Sequence, residues 1–382
     1  MTAILAGLAC LLAEPPKSGE RKAPVESSKP PQLSPQRVRL VGSMSFQQAL
    51  AILNEQLQPH GNHLVDLRPL FGQRPDDPRG DYDLRDVSYW EAADRLAELA
   101  HLRLVILPPQ KERGMLVGFL APAYAKPPAR PPIAYCGPFR VAVSEIQAIR
   151  QFDEPNLSRL ELTLELGCEP RYLPIWLQLA RDSVRYREAN SQEIVAEQTA
   201  QGAIKWLDEG ALRWRIRLPL PERSRPNLES LTVHGIVLVA PKRLTARVSP
   251  LAPGKPMRVE DVQVAVQEAD LDTTHEYWRF RVQLAYPQSD GRRGFDLESY
   301  HTWIMDSTQI TLQRQGTNAA IPPVRTPVVS VENSHTFSLE VLFSAPEKVS
   351  PANSRDWSLH LSFLATPWYV PLHAEFASLP LP

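Results

Sequence analysis

A chain of 382 residues with 43% apolar and 22% charged side chains is long enough for two or three globular domains. Its formal net charge of −1 gives no electrostatic case for nucleic acid as a partner. Proline is the outlier at 38 residues, about twice the usual share, which favours strand modules joined by stiff connections.

Residues 3–13, AILAGLACLLA, form an apolar run with the length of a signal-peptide core and too short to span a bilayer. No basic residue precedes it. An exported protein (periplasmic, cell-surface or secreted) with no membrane span is expected, and residues 1–13 read as a signal-like segment. Cys10, in LAGLAC, resembles a bacterial lipoprotein box, so a lipid anchor there is the less favoured alternative to simple cleavage. Residues 14–37 are rich in Pro, Ser, Lys and Glu and bury too little to offset ordering entropy, so they read as a flexible tether.

Residues 38–121 carry helical periods set among strands. Ser45-Phe46-Gln47-Gln48 and Ser88-Tyr89-Trp90-Glu91 are both capping boxes. The first opens an apolar run through Phe46, Ala49, Leu50, Leu53 and Leu57, the second a run through Tyr89, Ala92, Ala93, Leu96 and Ala100. Short alternating segments precede each helix and apolar strands follow, which predicts a small β-α-β-β-α-β domain.

Within it, residues 81–106, DYDLRDVSYWEAADRLAELAHLRLVI, resemble the short N-terminal domain of secretins and TonB-dependent receptors. Leu84, Asp86, Val87, Glu91, Ala92, Leu96 and Leu99 carry the match, while His101 stands where that family usually has glycine. No secretin pore or outer-membrane barrel follows. The resemblance implies an envelope-associated interaction domain without enzymatic activity.

Prolines cluster over residues 122–134, which reads as a linker, and from residue 135 onward the period becomes two. Leu160, Leu162, Leu164 and Leu166 alternate with Glu161, Thr163 and Glu165; Leu212, Trp214, Ile216 and Leu218 alternate with Arg213, Arg215 and Arg217; Trp278, Phe280, Val282 and Leu284 alternate with Arg279, Arg281 and Gln283. One face of each strand is meant for a core. Residues 212–241 and 337–367 share a further pattern: a strand, a Pro-Glu-basic turn, a second proline five residues on, and a strand ending at Pro241 or Pro367. Two related antiparallel β-sandwiches over 135–249 and 255–382 follow, and the expected fold class is α+β. Cys136 and Cys168 would remain after cleavage near Ala13; one disulfide and two buried thiols are both open.

The candidate chemistry is weak. Arg213, Arg215 and Arg217 share one strand face and could bind an anion, but a row of this kind more often pairs with carboxylates, and Glu161 and Glu165 alternate correctly for that. As a glycosidase pair those two carboxylates fail, being about 13 Å apart along one strand. His60 and His63 with Asp66 lack further metal ligands and read as a turn. The acidic loop of Asp270, Asp272, Thr274 and Glu276 lacks the glycine and terminal glutamate of an EF-hand. Arg79-Gly80-Asp81 matches an adhesive tripeptide, yet its setting predicts an ordinary turn. No serine-elbow, phosphate-loop, dinucleotide or HExxH pattern occurs. Trp303, Trp368 and Tyr369, near strand ends, are candidates for a sugar-stacking platform.

The sequence therefore points to a noncatalytic exported protein, without catalytic, metal or cofactor residues, that binds envelope proteins, its exposed sheet edges serving as docking surfaces. The alternative is a carbohydrate or other surface-ligand module using the tandem sandwiches.

Overall fold

The computed structural model describes residues 33–110, 114–122, 130–154, 157–188, 191–196, 204–206, 210–221, 226–248, 255–272, 277–288, 307–317, 320–344 and 356–382. The apolar run at 3–13, the tether up to residue 32, Trp303, and the prolines at 346 and 351 lie outside the described residues.

The N-terminal segment comprises β1 (Arg37–Ser45), α1 (Phe46–Leu57), β2 (Val65–Asp66), β3 (Arg79–Ser88), α2 (Tyr89–Leu99), β4 (Arg103–Gln110) and β5 (Gly114–Leu120). Ser45 and Ser88 cap the two helices, each accepting from the backbone of the residue three ahead while that residue's side chain returns a bond to the cap. α1 buries Phe46, Ala49, Leu50, Leu53 and Leu57. α2 buries Tyr89, Ala92, Ala93 and Leu96, and also Trp90, Asp94 and Ala97.

The α+β expectation, with its β-α-β-β-α-β opening domain, is corrected here. The protein is essentially all-β, and α1 and α2 are its two α-helices among the described residues. A β-α-β unit needs both strands parallel in one sheet. Instead β1 pairs antiparallel with β3, from Arg37↔Ser88 to Ser45↔Arg79, and forms a separate two-stranded ribbon. Because β1 and β3 run in opposite directions, α1 and α2 leave from opposite ends of that ribbon. The strands after the helices join another sheet, in the order β2-β5-β4. Arg79-Gly80-Asp81, expected in a turn, forms the start of β3.

The remaining strands are β6 (Ile133–Cys136), β7 (Phe139–Ile149), β8 (Arg159–Cys168), β9 (Leu173–Gln178), β10 (Val184–Glu188), β11 (Ile194–Ala196), β12 (Ile204–Lys205), β13 (Leu212–Pro219), β14 (Asn227–Ala240), β15 (Arg243–Val248), β16 (Met257–Val259), β17 (Val262–Asp272), β18 (Tyr277–Ala285), β19 (Gln309–Arg314), β20 (Ala320–Ile321), β21 (Val328–Asn333), β22 (Thr336–Ser344), β23 (Trp357–Leu364) and β24 (Trp368–Pro380). Sheet β13-β8-β7-β6 packs on the sheet built around β14, and the leucines of β8, Trp214 and Ile216 meet Val184, Leu231 and Leu372 in one core. Sheet β16-β17-β18-β22-β21 packs on β15-β23-β19-β20, where Phe280, Val282 and Phe337 meet Leu312, Leu359 and Leu361. The orders β6-β7-β8-β13 and β16-β17-β18-β22 correspond strand for strand.

The correspondence ends in an exchange. β15, which follows β14 in the chain, pairs not with β14 but with β23, from Arg243↔Leu364 to Val248↔Leu359. β24, which follows β23, pairs with β14, from Asn227↔Pro380 to Val239↔Trp368. Each sandwich thus lends its last strand to the other, an intramolecular form of domain swapping. The boundary expected between 249 and 255 does not separate the two cores: residues 243–248 serve the second and 368–380 the first. The crossings are Pro241 and Pro367, and between them the Ala365 N–H donates to the Lys242 carbonyl at 2.9 Å, one step beyond the Arg243–Leu364 rung. Proline suits the crossing because it lacks the N–H a continuous ladder would use.

No helix among the described residues is long and apolar enough to cross a membrane.

Candidate functional site

The N-terminal segment is clamped onto the first sandwich, and the clamp shapes the site. Trp90 on α2 is fully buried and its indole N–H donates to the Pro138 carbonyl at 2.9 Å. Gly167 on β8 makes room for it: a Cβ there would lie 2.6 Å from Ile106 Cδ1 and 3.2 Å from the Trp90 ring. Gly210 does the same for the end of β4, since a Cβ would sit 2.5 Å from the Leu107 carbonyl carbon.

Charged groups are buried in the same seam. Asp94 accepts from the Arg140 Nε and Nη2 at 2.8 and 3.0 Å and from the Tyr135 hydroxyl at 2.8 Å. Burial works against the Arg140 charge, but Asp94 more than offsets it and holds the guanidinium protonated more firmly than usual. Burial, reinforced by Asp94, pushes the Tyr135 hydroxyl far up. At the other end Glu169, with no exposed surface, accepts from the Gln36 backbone N–H at 3.0 Å and the Asn62 amide at 2.9 Å and pairs with Arg171 at 2.7 Å. Desolvation still raises its pKa above the ordinary carboxylate value. Leu33 packs against the first core, so residues 33–36, assigned to the tether on composition, are held.

Between the clamped segment and the sandwich lies a groove of about 860 Å³. Arg103 to Ile106 and Pro108 of β4 form one wall; Ala142, Ser144, Glu165 and Arg140 form the floor; Ala211, Leu212 and Arg213 form the other wall. A smaller recess of about 380 Å³ adjoins it, sharing Arg103, Leu104, Pro131 and Arg140 and reaching His101 and Glu98. β4 is the outermost strand of its sheet, and its free edge runs along the groove. The lining mixes leucine, isoleucine and alanine with arginine and one glutamate, so it offers apolar contact beside charge rather than a converging set of acid and base.

The arginine row pairs largely within its own sheet. Arg213 and Glu165 are register partners, joined at 2.9 and 2.8 Å, and Arg217 faces Glu161 at 3.3 Å. Arg159 bonds Glu161 at 2.7 Å, the leading reason its carboxyl titrates below the ordinary range. Arg215 lies opposite Thr163. Of the three, only Arg213 reaches the groove.

Trp368 and Tyr369 do not share a surface. Neighbours along a strand point to opposite faces, and here Trp368 packs on the first core while Tyr369 packs on the second, its ring 6.0 Å from Trp176. Both are half-buried, so they cannot form a common stacking platform. Asp66 is engaged by Arg68 at 2.9 Å through both oxygens and by Gln47 at 2.7 Å, leaving it no role beside His60 and His63.

Cys136 and Cys168 are both free thiols. Phe139 is the register partner of each, on opposite edges of β7, so the two cysteines lie two strand spacings apart, ~9–10 Å. A disulfide needs Cα atoms within ~7 Å.

Sequence reasoning missed the groove because its walls are far apart in the chain. One signal was present: Asp94 sits on the apolar phase of α2 beside Trp90 and Ala97, where a carboxylate needs a buried partner. No protein-family model matches this chain, and no curated relative matches it.

Proposed function

We propose that this protein is a noncatalytic, exported interaction protein of the bacterial envelope, and that it holds an extended segment of a partner protein by adding a strand to β4. One observation carries the reading: the outer edge of β4 opens along a groove of about 860 Å³. Backbone groups on an open edge give affinity to a docking strand, and pockets for alternate side chains give specificity. Arg103 reaches the groove with no ion-pair partner among the described residues, so an acidic side chain on the incoming segment complements it. The buried ion pair and the Trp90 anchor fix the segment that carries β4 against the floor of the groove, so little is lost in ordering that wall. Export rests on the apolar run at 3–13, and envelope association on the resemblance of residues 81–106 to the secretin and TonB short domain.

The test is photo-cross-linking in intact source cells from a probe amino acid placed at Ser144, followed by mass spectrometry. A reproducible envelope protein attached at that site, and lost when Ala211→Trp fills the groove, supports the reading. Adducts that Ala211→Trp leaves unchanged would count against it.

The carbohydrate alternative keeps one foothold. A recess of about 350 Å³ on the outer face of the β15-β23-β19 sheet is lined by Thr245, Arg247, Gln309, Thr311, His360 and Ser362, polar groups suited to sugar hydroxyls. A glycan array probed with the wild type and an Arg247→Ala variant separates this reading from the first.

A further inference from the structure

The exchanged strand is joined to its host by an imidazole pair. His234 on β14 and His373 on β24 are register partners, with Nδ1 3.0 Å from Nδ1 and ring centroids 4.6 Å apart. His373 is exposed and His234 half-buried, so the pair opens to solvent on the outer face of the sheet.

We propose that His234 and His373 together form a binding site for a divalent transition cation of the imidazole-preferring class, Zn²⁺, Ni²⁺ or Cu²⁺. Imidazole nitrogen binds such ions at ~2.0–2.1 Å, so two nitrogens on one ion stand about 2.8–3.0 Å apart at a right angle and about 3.3–3.4 Å apart at a tetrahedral one. The observed 3.0 Å matches the right-angled arrangement and lies about 0.3 Å short of the tetrahedral one. The backbone already fixes the ligands: β24 flanks β14 from Asn227 to Val239, and the His234 N–H donates to the Ser183 carbonyl at 2.8 Å on the opposite edge. Little ordering remains to oppose binding.

The surrounding charges are mixed. Burial, then His373 and Arg185, hold His234 below the ordinary histidine value, while Glu193 and Asp182 act the other way. A neutral imidazole is the form a metal needs. No group of three or more histidine, cysteine or carboxylate side chains suited to a metal occurs among the described residues, so water completes the shell. Binding is therefore weaker than in a closed structural site. The cation would span β14 and β24, tying the last strand of the chain to the first sandwich. A ligand that binds only the folded state stabilises it in proportion to occupancy.

The competing arrangement is a hydrogen bond between two neutral rings, with no affinity for metal. Titration of the full chain with Ni²⁺ or Zn²⁺ by calorimetry separates the two, with His335→Asn as a surface control. The expected result is one equivalent bound and a raised melting temperature reversed by EDTA. His234→Asn and His373→Asn should each lose at least ~10-fold in affinity, since losing a mere supporting partner of a ligand already costs that much. A second measurement uses the wild type alone: substoichiometric Ni²⁺ should broaden the imidazole resonances of His234 and His373 before those of other histidines. Equal affinity in the variants, broadening centred on other histidines, or no binding at millimolar Zn²⁺ would overturn the proposal.

Discussion

Arg140 on β7 closes a two-pronged ion pair on Asp94 of α2, and the two side chains are only 8% and 7% exposed. This contact ties the N-terminal segment to the first sandwich and sets the β4 wall of the groove over its floor. Asp94→Ala leaves a buried guanidinium uncompensated and should cost ~3–5 kcal/mol in denaturant unfolding. Arg130→Ala, which breaks the exposed pair with Glu98, should cost no more than ~1 kcal/mol. The double variant Asp94→Leu/Arg140→Met should recover most of the loss, because an apolar pair of similar volume often replaces a buried ion pair without penalty. If Asp94→Ala and Arg130→Ala cost the same, the seam is not held by this pair.

His101 ends α2 with φ +54°, the left-handed conformation, while the Leu102 and His101 N–H groups donate back to Ala97 and Glu98 at 2.8 and 3.1 Å. This is the helix stop that glycine usually supplies, and a side chain there carries strain. His101→Gly should raise stability by about 1 kcal/mol. Thermal melts of the two chains check it; an unchanged or lowered midpoint would show that the imidazole contributes more than the strain it brings.

The strand exchange makes a covalent prediction. Thr232 on β14 and Glu375 on β24 are register partners, and directly opposed Cβ atoms lie ~4.5–5.5 Å apart. Thr232→Cys/Glu375→Cys should form a disulfide within one chain on mild oxidation, seen as a linked peptide in the monomer fraction. Failure to link, or linkage only between chains, would mean that β24 is not seated on β14 within its own molecule.

The thiols of Cys136 and Cys168 should be inert in the fold. Burial pushes the Cys136 thiol up to about 11 and the Cys168 thiol well above its ordinary value. An acid whose folded pKa is raised stays protonated in the fold while the unfolded chain ionises, so its contribution to stability is full below pH ~8.5 and is lost as the pH rises towards 11. Alkylation of the wild type should therefore be slow at pH 8 and rapid at both positions after denaturation, and stability should fall between pH 9 and 11. Fast native alkylation at Cys168 would contradict its burial.

Much of the local structure was legible in the residues. The capping serines at 45 and 88, the buried faces of α1 and α2, and the alternation in β8, β13 and β18 all follow from periodicity and cap chemistry, which are local. Pairing was not legible. Nothing near Arg37 indicates that Ser88 lies across the ribbon from it, so the β-α-β reading closed each helix over its own neighbouring strands. Pro241 and Pro367 were read as strand ends, but alternation of period two is the same whichever sheet a strand joins, so the exchange left no local mark. The cross-strand partners of Arg213 and Arg217 were foreseeable because both rows share one period. Trp368 and Tyr369 were grouped by proximity in sequence, although adjacent strand residues face opposite ways.

The free edge of β4 is the most direct point at which to test the strand-addition reading, by hydrogen exchange of the Arg103–Leu107 amides. In the chain alone the groove-facing amides of that edge should exchange readily. With a synthetic peptide of the segment cross-linked at Ser144 they should become protected, while the amides of β24 on β14 stay unchanged. Protection elsewhere with none along β4 would contradict docking by an added strand.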